Sequence, residues 1–317
     1  MASLLENSSP SISIVVCTRD RPVSLKACLE SIGRLDYAAY EVIVVDNAPS
    51  DQTTAQVVTA TPFRYVREDR PGLDWARNRG VVEAMSELIA YTDDDVQVDP
   101  GWLRGMASAF ADPEVMAVTG LVLPLELDTP AQHLFEEYGG MGKGPHARCF
   151  RRTSMQPWEL IAVHQVGVGA NMAFRRQVFE TIGGFDPALD VGTPAGGGGD
   201  LDMFHRVLAA GLTLRYEPTA LVRHQHRRDI DSLWRQIYHN GRSFGVYLLK
   251  IWQTKTVNRR ETTLFALRWV GGWLLARLFN RLIGRLQFPL SLVWAEVWGA
   301  LHAPWAYRAT YKNNFKR

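Results

Sequence analysis

Three consecutive carboxylates, Asp93, Asp94 and Asp95, follow directly on the strand-forming run Ile89-Ala90-Tyr91-Thr92. Adjacent like charges repel, and folding alone gives no reason to stack them at the end of a strand. Open α/β sheets bind their ligands at the carboxyl ends of their strands. Hard cations such as Mg²⁺ and Mn²⁺ take oxygen ligands and sit between one or two carboxylates and a substrate diphosphate. The triplet therefore points to a metal–diphosphate site, with a solvated acidic turn ahead of Pro100 as the plain alternative.

The residues before the triplet decide between these readings. Ser13 to Thr18 is a short, β-branched apolar run of the kind found in a parallel strand buried on both faces. Arg19-Asp20-Arg21-Pro22 breaks it, and the spacing of Leu25, Ala27, Cys28, Leu29 and Ile32 predicts a helix over 23–32. A second buried strand, Glu41 to Asn47, ends on Asp46; a helix to about Ala60 and a strand at Phe63 to Val66 follow. This β-α-β-α-β rhythm predicts a doubly wound, mostly parallel α/β sheet. Parallel strands deliver Asp46 and Asp93 to Asp95 to the same edge, which favours a site over a bare turn.

With 317 residues, 46% of them hydrophobic, the chain can bury one large α/β core with an appendage. Its net charge of +2 divides unevenly: residues 251–317 hold eleven Lys or Arg against Glu261 and Glu296, a net of +9, which leaves −7 for the first 250. Cys17, Cys28 and Cys149 show no CxxC spacing, which fits a reducing compartment and offers no zinc site. Residues 1–11 are polar and lack the charged-then-apolar pattern of a signal peptide, so the expectation is a cytoplasmic protein.

From Ser13 to about Gly211 the chain resembles the inverting family 2 glycosyltransferases of GT-A (Rossmann-like) fold. The matching features are the Val44-Val45-Asp46-Asn47 turn with Asp51 after it, Ala76-Arg77-Asn78-x-Gly80, the Asp-x-Asp strand end followed by Pro100 and Trp102-Leu103, and Gly183-Gly184-Phe185-Asp186. The resemblance implies a nucleoside-diphosphate sugar donor and a Mn²⁺ or Mg²⁺ ion. It implies that Thr18 and Asp46 hold the nucleotide base, Asp46 accepting from a uracil N3–H, with Arg19 and Asp94 among the donor-binding residues. It places Asp93 near the ribose and, with Asp95, on the metal, and Asn171 near sugar or acceptor. Asp200 matches the Asp of a Glu-Asp pair and becomes the general base, with Gly199 where the family has Glu; a helix N-cap is the structural alternative. His224 and His226 share a strand face, and His224 is the candidate for a late metal ligand, with a hydrogen-bonded histidine as the alternative.

The stretch 127–165 shows no clear pattern and is expected to be a loop-rich, acceptor-facing insertion. Three regions follow: a polar segment 1–11, a catalytic unit 12–228 with nucleotide (12–125) and acceptor (126–228) halves, and a helical extension 229–317. That extension holds seven of the ten tryptophans, six of them beyond residue 250, but no uncharged run of the roughly 20 residues a membrane span needs. Arg277, Arg281 and Arg285 recur every four residues opposite Leu274, Leu275, Leu278 and Leu282, which predicts a helix lying along an anionic leaflet or packed on protein. The expected partners are a sugar nucleotide and a glycan or lipid-linked acceptor, not nucleic acid. A sugar-phosphate nucleotidyltransferase would need a glycine-rich loop after the first strand, and Thr18 to Pro22 has none. A catalytically silent relative would keep nucleotide binding without turnover.

Overall fold

The computed structural model describes residues 9–314, so most of the polar segment 1–11 lies outside them. The first half runs β1 (Ile12–Thr18), α1 (Pro22–Ile32), β2 (Tyr40–Asn47), α2 (Thr53–Thr59), β3 (Arg64–Glu68), α3 (Leu73–Glu83), β4 (Leu88–Asp93), β5 (Val96–Val98), α4 (Trp102–Ala109) and β6 (Val115–Pro124). Then come α5 (Pro130–Tyr138), β7 (Arg148–Phe150), β8 (Asn171–Arg175), α6 (Arg176–Ile182), α7 (Gly199–Ala209) and β9 (Thr213–His224). The chain closes with α8 (Ile230–Thr254), α9 (Arg259–Arg268), a π-helical turn (Trp269–Leu275), α10 (Ala276–Leu282) and α11 (Leu290–Asn314).

One mixed sheet of nine strands carries the molecule, in the order β3-β2-β1-β4-β8-β6-β9-β5, with β7 on β9. All seven residues of β1 are buried, as expected for a strand covered by helices on both faces. Strands β3, β2, β1 and β4 are parallel, and their register sets Thr18 opposite Asp46 and Cys17 opposite Asp93. Beyond β4 the sheet mixes directions: β8 runs antiparallel between β4 and β6, while β6 and β9 are parallel. Short β5 pairs antiparallel with β9 so that Val96 faces His224, which brings a histidine beside the acidic triplet from the far end of the chain.

The region 127–165 is not simply a loop. It contains α5, whose start is a capping box: Thr129 accepts from the Gln132 N–H, the Gln132 side chain accepts from the Thr129 N–H, and Pro130 occupies the first turn.

The helices beyond residue 229 share the main core, with Tyr247, Leu248 and Ile251 of α8 and nearby Val257 in the same apolar cluster as Phe174 and Phe204. Lys250 of α8 bridges Asp186 (2.7 Å) and Asp202 (2.6 Å), fixing the helix to the body. Helices α8 and α11 lie against each other with almost no space, since a Cβ on Gly299 would stand 2.0 Å from the Tyr238 carbonyl oxygen. The predicted arginine stripe is corrected here. Helix α10 ends at Leu282, so Arg285 leaves it, and Arg277 turns inward onto the rings of Trp273 (4.7 Å), Phe288 (4.9 Å) and Tyr138 (5.1 Å). The apolar residues Leu275, Phe279 and Leu282 face outward instead.

Candidate functional site

The carboxyl edge of the parallel strands gathers the sequence-predicted acids. Asp46, at the end of β2, is fully buried. Tyr65 donates a hydrogen bond to its Oδ2 (2.9 Å), while Oδ1 has no partner among the described residues. Burial raises the Asp46 pKa above the ordinary carboxylate value, the Tyr65 hydrogen bond opposing it. A buried acceptor without a donor is costly, and a base N–H is a group that would satisfy it. The β1 and β2 loops that frame Asp46 are stitched together by Asp20, which accepts from both the N–H and the hydroxyl of Ser50 at 2.9 Å.

Within the triplet the three carboxylates occupy different environments. Asp94 is turned into the protein, accepting from the Thr18 hydroxyl (2.7 Å) and from Arg21 (3.1 Å). Burial pushes its pKa up to about 6 in spite of Arg21. Both Thr18 and Asp94 are thus engaged with each other. Asp95 meets His224 Nε2 at 3.3 Å, Arg21 at 3.2 Å and Arg227 at 3.9 Å. Burial disfavours its charge, yet the His224 hydrogen bond and these cations bring its pKa down to about 2. Asp93 lines a cavity; burial raises its pKa while Arg77 lowers it. Arg19 lies exposed beside Asp20 at 3.9 Å.

Among the described residues, no three His, Cys, Asp or Glu side chains converge into a ready-made metal shell. The donor set nevertheless suits a hard cation bound through a diphosphate, which takes only one or two carboxylates from the protein. Asp95 stays ionised, with His224 Nε2 on its Oδ1 and Arg21 and Arg227 on its Oδ2. The second ring nitrogen of His224 lies 3.1 Å from His226 Nδ1, and His226 Nε2 lies 2.9 Å from Glu136 Oε1. Such a relay is the arrangement that orients a ligating histidine.

Across the cavity stands Asp200, in the first turn of α7. It is not the helix N-cap, a position taken by Gly198 at φ +105°. Its Oδ2 accepts from the Gly169 N–H (2.8 Å) and its Oδ1 from the Leu201 N–H (2.9 Å). Gly196, Gly197 and Gly198 all have positive φ, so the loop entering α7 follows a path that side-chain-bearing residues rarely take. Gly199 has a different reason: a Cβ there would lie 2.0 Å from Asp74 Oδ2. Asp74, buried on α3, forms an ion pair with Arg77 at 3.0 Å and leaves that Oδ2 without a partner. The start of α3 is capped from a distance, with Asp190 accepting from the Leu73 and Asp74 N–H groups, both at 2.7 Å. Asn78 and Phe185 exchange two hydrogen bonds (2.8 and 2.9 Å), locking α3 to the Gly-Gly-Phe-Asp segment.

Asn171 corrects an expectation. It is fully buried, its oxygen accepts from Trp102 Nε1 (2.8 Å), and its amide donates to the Leu121 (3.0 Å) and Ala220 (2.8 Å) carbonyls. Those bonds hold β8 against its neighbours and leave no free group for sugar or acceptor.

The family model described as Glycosyl transferase family 2 matches residues 13–183, more than half of the chain. The chain belongs to that family. It is 26% identical to the pre-mycofactocin glycosyltransferase of Mycobacterium tuberculosis over 73% of its own length, and this match spans 46% of that protein, just under half. It is 26% identical to the glucosyl-dolichyl phosphate glucuronosyltransferase of Haloferax volcanii over 55% of this chain and 56% of that one. The mannosyltransferase PcManGT from Pyrobaculum calidifontis, solved in complex with GDP-Man and Mn²⁺, superposes with a TM-score of 0.52 at 17% identity, covering 96% of this chain and 74% of that one. That likeness establishes the fold.

The family match stops before Asp200 and His224, so their placement rests on the geometry above. Four contributors escaped the sequence reading: Arg21, Tyr65, Asp74 and Asp190. Only Arg21 had a local signal, as a cation directly before a helix-starting proline. The others act across 19, 125 and 116 or 117 residues of chain, and no spacing rule reaches that far.

Proposed function

We propose that this chain is a metal-dependent, inverting glycosyltransferase that moves a sugar from a nucleoside-diphosphate sugar, UDP-linked foremost, to an acceptor hydroxyl. The unpartnered, buried Asp46 Oδ1 carries this reading, because it lies on the same sheet edge as Asp93 and Asp95 and suits a uracil N3–H. Asp95, with Asp93 and His224, would hold a Mn²⁺ or Mg²⁺ ion, which when bound supplies positive charge to the departing diphosphate. Asp200 takes the proton of the acceptor hydroxyl as its oxygen attacks the anomeric carbon. The bond to the diphosphate breaks on the opposite face, so the configuration inverts. Gly169 and Leu201 fix the Asp200 carboxylate through their N–H groups.

Calorimetry with UDP, TDP and GDP, with and without Mn²⁺, tests the donor site. UDP is expected to bind about tenfold or more tightly with Mn²⁺ than without it, and Asp95→Ala to remove that gain. Binding indifferent to both metal and Asp95, or no binding of any of the three, would overturn the reading.

We also place the C-terminal helices at a membrane surface. Leu267, Phe279, Leu282, Leu301 and Trp305 are each 60–66% exposed, an apolar surface that asks for a partner. Arg259, Arg260, Arg268, Arg285 and Arg308 are exposed in the same region and suit anionic headgroups. No described helix is long and apolar enough to cross a bilayer. The protein is expected to sediment with phosphatidylglycerol vesicles, and Phe279→Asp with Leu282→Asp to release it; equal recovery of both proteins in the supernatant would refute the placement.

A further inference from the structure

A cavity of about 760 Å³ begins at Asp93 and Asp200 and runs away from the base end of the site, for its walls include neither Asp46 nor Thr18 nor Asp95. Its far wall is aromatic: Tyr138 from α5, Phe244 from α8, Phe265 from α9, and Trp269 and Trp273 from the π-helical turn. Small-molecule sites span roughly 300–1,000 Å³, so there is room for considerably more than one sugar ring. The wall is rigid. Tyr138 and Trp273 both donate to Glu296 Oε1, at 2.9 and 2.8 Å, and Phe244 meets Trp269 edge to face at 5.0 Å.

Two further observations bear on what the cavity would hold. Lys143 and Arg268 line the cavity, and neither has a carboxylate within ion-pair distance among the described residues. Burial, then the charge of Arg148, lowers the Lys143 pKa against the opposing charges of Asp200 and Glu136, so an anion in direct contact would favour the ammonium. The wall from Phe265 to Trp273 is also thin and two-sided: Phe265, Trp269 and Trp273 line the cavity, while Leu267 and Val270 between them are 63% and 40% exposed. Apolar surface thus continues from the cavity to the outer face of the molecule, and a π-helical turn, a form frequent at functional sites, makes the join.

We propose that this cavity is the acceptor site for a phosphate-bearing amphiphile: a hydroxyl at Asp200, the phosphate at Lys143, and an apolar chain along Phe244, Phe265 and Trp269 towards the exposed face. The assignment rests on the glycosyltransferase reading and narrows its acceptor. It is tested by binding rather than turnover, on the full chain in the presence of UDP and Mn²⁺, with farnesyl phosphate as the probe and farnesol and inorganic phosphate as controls. Farnesyl phosphate is expected to bind at least about tenfold more tightly than either control, the worth of one charge-assisted contact. Lys143→Met is expected to erase its advantage over farnesol, and Phe265→Ser its advantage over inorganic phosphate. UDP binding to each variant shows that it has folded. Protein that binds UDP but takes all three probes alike, or whose preference survives both substitutions, overturns the acceptor assignment and leaves the donor reading standing. Protein that binds no nucleotide overturns both.

Discussion

Asp200→Asn is expected to lower the turnover number by about 10³-fold, within the range for loss of a general base, while leaving the affinity for UDP with Mn²⁺ unchanged. The amide keeps the size of the carboxylate, and one oxygen remains to accept from either the Gly169 or the Leu201 N–H, so the start of α7 should hold. What disappears is the capacity to take a proton. Asp200 does not stand at the base end of the site: the cavity it lines excludes Asp46 and Asp95, which is why donor binding should survive. Rapid-quench measurement of sugar transfer, paired with calorimetric UDP binding, separates these effects. A variant that transfers at the wild-type rate would move the base to another carboxylate of the cavity, with Asp93 first in line. A variant that loses UDP binding as well would mean that Asp200 acts through the architecture of the site.

The parallel half of the fold was legible because its physics is local. Buried strands read as unbroken β-branched runs, and once strands are parallel their carboxyl ends share an edge, so Asp46 and Asp93 to Asp95 could be placed together from sequence. The antiparallel insertion of β8 between β4 and β6 could not be, since Asn171 to Arg175 carries the same apolar pattern in either direction. Helix α5 was readable in principle from Thr129-Pro130-x-Gln132, but the glycines and basic residues after it masked that signal. The arginines of the tail illustrate a different limit. Periodicity separates a charged face from an apolar face for α10 and leaves open whether lipid or protein meets it; aromatic rings from α5 and from the segment before α11 receive Arg277. Amphipathicity fixes which residues share a face, not which face is covered.

Gly199 and Asp74 lead to the second large effect. Gly199→Glu, which installs the residue expected from the family pattern, should destabilise the protein by about 3 kcal/mol or more, through overpacking together with a second carboxylate beside a buried one. The Cβ alone would collide with Asp74 Oδ2 at 2.0 Å. Burial, with Asp190 and Asp200 nearby, already raises the Asp74 pKa well above its usual value, and Arg77 is the counter-charge that holds it. A further carboxylate in this space would add repulsion without adding a cation. A carboxylate from α3 thus fills the volume in front of α7 that a side chain at position 199 would need. Asp74→Ser alone should also destabilise, because it leaves the Arg77 guanidinium buried without its partner. Combined, the two substitutions return one carboxylate and the room for it, so the double variant should be more stable than the sum of the single losses by about 1 kcal/mol or more. Urea unfolding of the four proteins measures this coupling. Strict additivity, or a Gly199→Glu variant as stable as the wild type, would show that Asp74 does not stand in for the missing side chain.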